Sequence, residues 1–424
     1  MRRIFKKVRR HLEIQAEPKW LEQLKIFTSR KKIQNWRARY TAGHRNLFID
    51  ITVIAANDAG TGIQRVVRGI AAQADIFEQH GWNVQFVAAS RAHPYHRISW
   101  PVKRAVADKT PIQGGAGDVF LGLDYSLDAV RFHEGQIRSL ASSGVRIAFL
   151  IHDLLPIDRP EWFPPQTGNR FRKWLRILAS LSDLVLCNSS QTEKDFKAAL
   201  ATHFKITTPC ETNVIPMGTD VSGSMHSLGT SEDFMSWLGN LPHQTFLTVS
   251  TLEPRKGHSD LLEAFSRLWE LGHDYNLVLV GRSGWKVDDL VLKLTQHPEY
   301  NKRLHWKSDL SDEELIHIYE RCKGLIFPSL AEGYGLPLVE ALNHQKPVLA
   351  RDIEVFRDHE ACGVRYFPEN ATPEVFADHI NEWADMIDRG EITIVRPSSR
   401  TWRHSAEYVA QLLDELAPDS PTPL

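Results

Sequence analysis

The sequence predicts an α/β protein of two doubly wound, Rossmann-like domains facing a cleft, on three observations. The chain has 424 residues, enough for two large hydrophobic cores. From Asn46 onward short apolar strand candidates alternate with amphipathic helices, the pattern of parallel sheets covered on both faces. The alternation pauses at a Gly-, Ser- and Thr-rich stretch, residues 219–243, and then starts again.

In the first series, NLFIDITVI (Asn46–Ile54) reads as a strand, AANDAGTG as a loop and Ile63–Gln79 as a helix with Ile63, Val66, Val67 and Ile70 on one face. VQFVAA, DVFLGL, RIAFLI, DLVLCNS and NVIPMG continue it, giving a first domain over residues 46–220. Residues 221–243 read as a linker. The second domain, residues 244–400, has TFLTVS, a helix from about Ser259 to Leu271, then NLVLVG, RLHWKS, GLIFPS, PVLA and RYF. A helix over 401–416 follows, and the tail 417–424 has the composition of a disordered end.

Hydrophobic content of 42% and charged content of 24% fit a soluble globular protein. Runs such as Ile147–Ile151 are too short to cross a bilayer. Four cysteines without a CxxC pair suit a reducing cytoplasm and argue against a zinc site. The net charge of -1 hides an asymmetry: residues 1–45 carry 14 Lys/Arg against three glutamates, a balance of +11 that leaves -12 for the rest. Ile4, Phe5, Val8 and Leu12 sit among these cations, with Trp20 and Trp36 beyond. A basic amphipathic arm of this kind suits an anionic membrane surface. Nucleic-acid binding and a solvated tail are the competing readings, and nucleic acid is not expected as a partner.

The chemistry concentrates in Glu332-Gly-Tyr-Gly-Leu-Pro-Leu-Val-Glu340, where two carboxylates flank a glycine-rich turn entering a helix. Pro337 suits a first helical position, and the free N–H groups of a helix start attract an anion such as a diphosphate. Ionised carboxylates accept hydrogen bonds only, so sugar hydroxyls are suitable targets for them. In TLEPRKG, Arg255 and Lys256 precede a helix and would hold a diphosphate. The plainer alternatives are a solvated loop charge at Glu332, a dipole-complementing Glu340 and an exposed basic turn.

Gly60-Thr61-Gly62 occupies the first strand-to-helix loop, yet the third glycine of the dinucleotide fingerprint is missing and VQFVAA ends without an acidic residue. A loop offering N–H groups, with Gln64 or Arg65, and a purely structural turn both remain open. His152 follows RIAFLI, where an imidazole can donate a hydrogen bond or move a proton. No GxSxG elbow or Walker lysine loop is present.

Over about residues 46–416 the chain resembles the retaining glycosyltransferases of family 4, which have the GT-B architecture. The resemblance is carried by NDAGTGIQRVVR, IHDLLP, SDLVLCNSSQTEKDF, VSTLEPRKGHSDLLEAF, LVLVGRSGW, SDEELIHIYERC and PSLAEGYGLPLVEAL. It implies that Glu332 touches the hydroxyls of the donor sugar, Glu340 binds the nucleotide ribose, and Arg255 and Lys256 hold the diphosphate. Gly333, Tyr334, Gly335, Leu336 and Gly281 would complete the donor site. His152 would contact the transferred sugar, and Gly60, Gly62 and Gln64 would face the acceptor. The resemblance further implies retention of configuration with neither metal nor cofactor. TGIQRVVR and HDLLP look most like bacterial mannosyl- or rhamnosyltransferases of O-chain, capsule or exopolysaccharide assembly. GDP-mannose is then the favoured donor, ahead of UDP-sugars and dTDP-rhamnose. A lipid-linked saccharide would be the acceptor, met at the inner face of the plasma membrane. The competing functions are an epimerase or hydrolase of the same fold and an inactive membrane-bound scaffold.

Overall fold

The computed structural model describes residues 23, 25, 26, 45–101, 109–207, 210–220, 229–397 and 400–417. The amphipathic arm and the terminal tail therefore lie outside the described residues, apart from Gln23, Lys25, Ile26, Arg45 and Ala417. The chain forms two compact units, residues 1–218 with 402–424, and residues 219–401.

The first unit is built on seven strands: β1 (Asn46–Asp50), β2 (Asn83–Ala88), β3 (His96–Arg97), β4 (Val119–Gly122), β5 (Arg146–Ile151), β6 (Leu184–Cys187) and β7 (Glu211–Val214). Their order is β3-β2-β1-β4-β5-β6-β7, parallel throughout except for the short edge strand β3, which sequence reading missed. The central strands are continuously apolar because helices cover both faces. NLFIDITVI does not stay extended to its end. The strand stops at Asp50 and α1 (Thr52–Ala56) begins, because the carboxylate of Asp124 accepts the N–H groups of Val53 and Ile54 at 2.6 and 2.9 Å. The helix expected over Ile63–Gln79 is divided into α2 (Gly62–Ala71) and α3 (Ala74–Gln79) by a turn at Ala72 and Gln73.

The C-terminal helix Trp402–Leu416 packs on α2 and α3. Two glycines make room for its first side chain: a Cβ on Gly69 or Gly218 would stand 2.3 or 2.5 Å from atoms of Trp402. Asp414 near its other end accepts from Trp82 Nε1 at 3.0 Å and pairs with Arg45 and His80.

The second unit carries β8 (Thr245–Val249), β9 (Asn276–Val280), β10 (Leu304–Lys307), β11 (Gly324–Phe327), β12 (Val348–Arg351) and β13 (Arg365–Phe367), all parallel, in the order β10-β9-β8-β11-β12-β13. The linker expected over 221–243 needs correction, since the unit starts at Thr219 and includes α4 (Glu232–Gly239). Ser231 caps α4 through the N–H of Phe234, and Phe234 and Leu238 join the core with Leu247 and Ile318. A polar composition concealed that apolar face. Each sheet changes winding direction once, between β1 and β4 and between β8 and β11, and ligands in such sheets bind beyond the carboxyl ends of the strands at that switch.

Candidate active site

The loops leaving β8 and β11 lie side by side at the switch point of the second sheet. The N–H of Leu330 donates to the carbonyl of Arg255 at 2.8 Å, which fixes the loops against each other. Their side chains form one ionic cluster. Arg255 Nη1 stands 3.0 Å from Glu332 Oε2, and Lys256 Nζ stands 2.5 Å from Glu332 Oε1, which also accepts from Ser329 Oγ at 2.8 Å. The other edge of Arg255 donates from Nε to Glu253 at 2.9 Å. Glu332 keeps only 8% of its side-chain surface exposed, so these ion pairs are shielded from water.

Burial by itself would raise the Glu332 carboxyl, but the charges of Lys256 and Arg255 and the hydrogen bonds from Lys256 and Ser329 bring it down to about 2. Lys256 is held below the ordinary lysine range by burial and the neighbouring Arg255, which outweigh the attraction of Glu332 and Glu253. Burial pushes Glu253 up, with the two cations opposing it. The site thus sets two cations against two carboxylates of unequal acidity. No sequence pattern singles out Glu253 and Ser329, although Glu253 stands within TLEPRKG and Ser329 only three residues before Glu332.

Backbone geometry makes this approach possible. Gly257 has φ 69°, and a Cβ there would fall 2.2 Å from the carbonyl oxygen of Pro328. Gly281, at the end of β9, has φ 147° and would bring a Cβ to 2.0 Å from the oxygen of Ser250. Past Gly257, α5 (His258–Glu270) starts on a glycine N-cap, so among the described residues no side chain caps its first N–H groups. Its first residue, His258, is buried and pushed down to about 3 by that burial and by Lys256, and it stays neutral beside Ser250 Oγ at 3.1 Å.

On the other flank, Gly335 in the left-handed conformation opens α6 (Leu336–Asn343), with Pro337 at its second position. Gly333 and Leu336 are buried, and Tyr334 packs edge-on to His359. Glu340 lies on the buried face of α6 and accepts from the Tyr319 hydroxyl at 2.9 Å.

In the first unit, His152, directly after β5, is buried, with Nε2 3.4 Å from the carbonyl of Leu123 and no partner for Nδ1 among the described residues. Burial depresses it to about 4, so the imidazole is neutral near pH 7. Asn188, following β6, donates to the His152 carbonyl at 2.8 Å. Gly60 and Gly62 leave open space where a Cβ would stand. Gln64, expected to face an acceptor, uses its amide inside the loop: Oε1 accepts from the N–H groups of Ala59 and Thr61, and Nε2 donates to Asn57. It shapes the loop as half of a capping box with Thr61, which is what a glutamine three residues after a threonine signals.

Sequence reading also missed the carboxylate pair beneath this end of the sheet. Asp50 accepts from Thr52, Tyr95 and Ser126, while Asp124 caps α1 and is raised to about 7 by burial and by the charge of Asp50. Thr52 and Ser126, which donate to Asp50, also line a cavity of about 520 Å³ together with Val53, Arg91, Phe132 and Arg170, among others.

Residues 231–389, which hold the ionic cluster, match the family model for glycosyl transferases group 1. The serotype-specific mannosyltransferase WbdA of Escherichia coli is 35% identical over 387 residues, covering 88% of this chain and 46% of the relative. The chain has the GT-B fold and resembles O-antigen mannosyltransferases. It spans about half the length of the WbdA relatives. The O-antigen chain mannosyltransferase RfbU of Salmonella typhimurium is 29% identical over 124 residues, covering 28% of this chain and 33% of RfbU. Among solved structures, Anabaena HepE in complex with UDP and glucose superposes with a TM-score of 0.55 at 17% identity, covering 88% of this chain and 97% of HepE. A glycosyltransferase from Rickettsia africae superposes at 0.58 with 14% identity, over 89% and 100% of the two chains. These two likenesses concern the fold.

Proposed function

We propose that this chain transfers a hexosyl group, with mannose from GDP-mannose favoured, to a lipid-linked saccharide during bacterial surface-polysaccharide assembly. The observation that carries the reading is the Glu332 cluster: a nearly dry carboxylate beside two cations, at a helix start on a sheet's switch point. Arg255, Lys256 and the N–H groups of α5 take the diphosphate, whose arrival frees Glu332 for the hydroxyls of the donor sugar. Glu340 serves the ribose. With the His152 proton on Nε2, facing a carbonyl, Nδ1 is left as an acceptor for a sugar hydroxyl. The acceptor saccharide enters the cavity lined by Thr52, Ser126 and Arg170.

The bond from the anomeric carbon to the leaving phosphate oxygen breaks, leaving positive charge on the sugar and negative charge on the nucleoside diphosphate. Arg255, Lys256 and the helix dipole stabilise the latter. The acceptor hydroxyl oxygen bonds the anomeric carbon on the face just vacated, with retention, and its proton passes to the departing phosphate. No metal has a step in this scheme.

Purified protein incubated with GDP-mannose, UDP-sugars and dTDP-rhamnose, with and without bacterial lipid extract, tests the reading by mass spectrometry. Nucleoside diphosphate released from GDP-mannose only when the extract is present is the expected result. Release without acceptor favours a hydrolase, and no release from any donor favours a scaffold. We assign the basic arm to the anionic inner face of the membrane. No helix among the described residues is long and apolar enough to cross a bilayer. Removing residues 1–40 should abolish co-sedimentation with phosphatidylglycerol vesicles and spare nucleotide binding; undiminished sedimentation refutes that role.

A further inference from the structure

Arg351, the last residue of β12, is one of the largest fully buried side chains in the protein. Its guanidinium lies over the Phe367 ring and fans out to three acceptors: Nε to the Pro328 carbonyl at 2.9 Å, Nη1 to the Glu369 carbonyl at 2.5 Å and Nη2 to the Asp260 carboxylate at 2.6 Å. Two of these acceptors belong to the two halves of the ionic cluster. Pro328 begins the loop that carries Ser329 and Glu332, and its carbonyl is the group facing Gly257. Asp260 stands in the first turn of α5, four residues after Lys256. A planar fork of donors holds such acceptors at fixed angles, which the single ammonium of a lysine does not.

The geometry points to Arg351 as a positioning residue for the donor site: its guanidinium sets the spacing between the loop bearing Lys256 and the loop bearing Glu332. Its importance to turnover rests on the reading of those loops as a diphosphate site, while the spacing itself does not. Arg351 touches no substrate in this assignment. It acts by keeping the Pro328 carbonyl against Gly257 and the start of α5 level with it, so that Lys256 and Arg255 meet Glu332 and, in turn, a diphosphate.

The test uses the full chain with Arg351→Met and, separately, Asp260→Ala. The Asp260 side chain is 41% exposed, so its loss is compatible with folding. Lys256 is labelled under native conditions with an amine-reactive ester and mapped by mass spectrometry, and GDP, UDP and their monophosphates are titrated by calorimetry. Lys256 labelling is expected to rise severalfold in both variants relative to lysines outside the cluster. Nucleoside diphosphate affinity should fall about tenfold in Arg351→Met, with the monophosphate affinity little changed, because the displaced groups are those that meet the second phosphate. Unaltered Lys256 labelling in both variants overturns the proposal. If all lysines of Arg351→Met label alike because it unfolds, Asp260→Ala decides. Should the wild type bind neither diphosphate, the donor reading fails while the labelling still decides the role of Arg351.

Discussion

Glu332→Gln is expected to lower turnover by about two to three orders of magnitude while leaving nucleoside diphosphate affinity unchanged or tighter. The two halves of this prediction have one cause. The carboxylate neutralises Arg255 and Lys256 and so competes with a diphosphate for them. Glutamine keeps the shape and one acceptor oxygen but removes that competition, together with the acceptor pair offered to sugar hydroxyls. It also leaves buried cations short of a counter-charge, and stability should fall by about 3 kcal/mol. The pH dependence tests the same point. The Glu332 carboxyl is depressed in the folded state, so its stabilisation is present in full above the ordinary glutamate value of 4.5 and is lost as pH falls through about 2. Urea unfolding from pH 6 down to pH 2.5 should show that acid limb in the wild type and a flatter profile in Glu332→Gln. Normal turnover in the variant, or a tenfold loss of diphosphate affinity, would refute the assignment.

Lys256→Met should reduce turnover by about three orders of magnitude and, unlike the first variant, weaken nucleoside diphosphate binding at least tenfold. Methionine retains much of the buried stem and deletes only the charge that meets the leaving group. Since Lys256 and Glu332 are in direct contact, their effects should not add. The double variant is expected to be little worse than Lys256→Met alone, because a carboxylate left with Arg255 and Ser329 has already lost the closer of its two cations. Calorimetry with GDP and UDP and steady-state kinetics on the productive donor measure both terms. Strictly additive losses would show that the ion pair is no functional unit.

Much of the architecture is legible in the sequence because strand signals are local. TFLTVS, NLVLVG and GLIFPS are continuous apolar runs bounded by loop residues, and each becomes a strand buried on both faces. Elements whose character depends on neighbours are not legible in this way. The second half of NLFIDITVI has strand-like composition, and it turns helical because Asp124, 70 residues away, caps it. α4 reads as linker in the sequence because its apolar face gains meaning only against the core formed by β8, β9 and the helices after β10.

The site divides along the same line. Glu332, Arg255, Lys256 and His152 are recognisable as residue types suited to a sugar diphosphate, each on a loop after a strand. Gln64 carries a local capping signal, and its amide is engaged within its own loop. Glu253, Ser329 and Arg351 carry no sequence signal that separates them from ordinary polar residues.

The sequence by itself determined the α/β class, the repeated alternation and the set of charged loops, all consequences of periodicity and loop chemistry within short windows. Tertiary structure alone decided that Arg255 and Glu332, 77 residues apart, are bonded to each other. The reason is the strand order: β8 pairs with β11 across the point where the sheet reverses, so two loops distant in sequence leave adjacent strands and share their counter-ions in a site nearly closed to water.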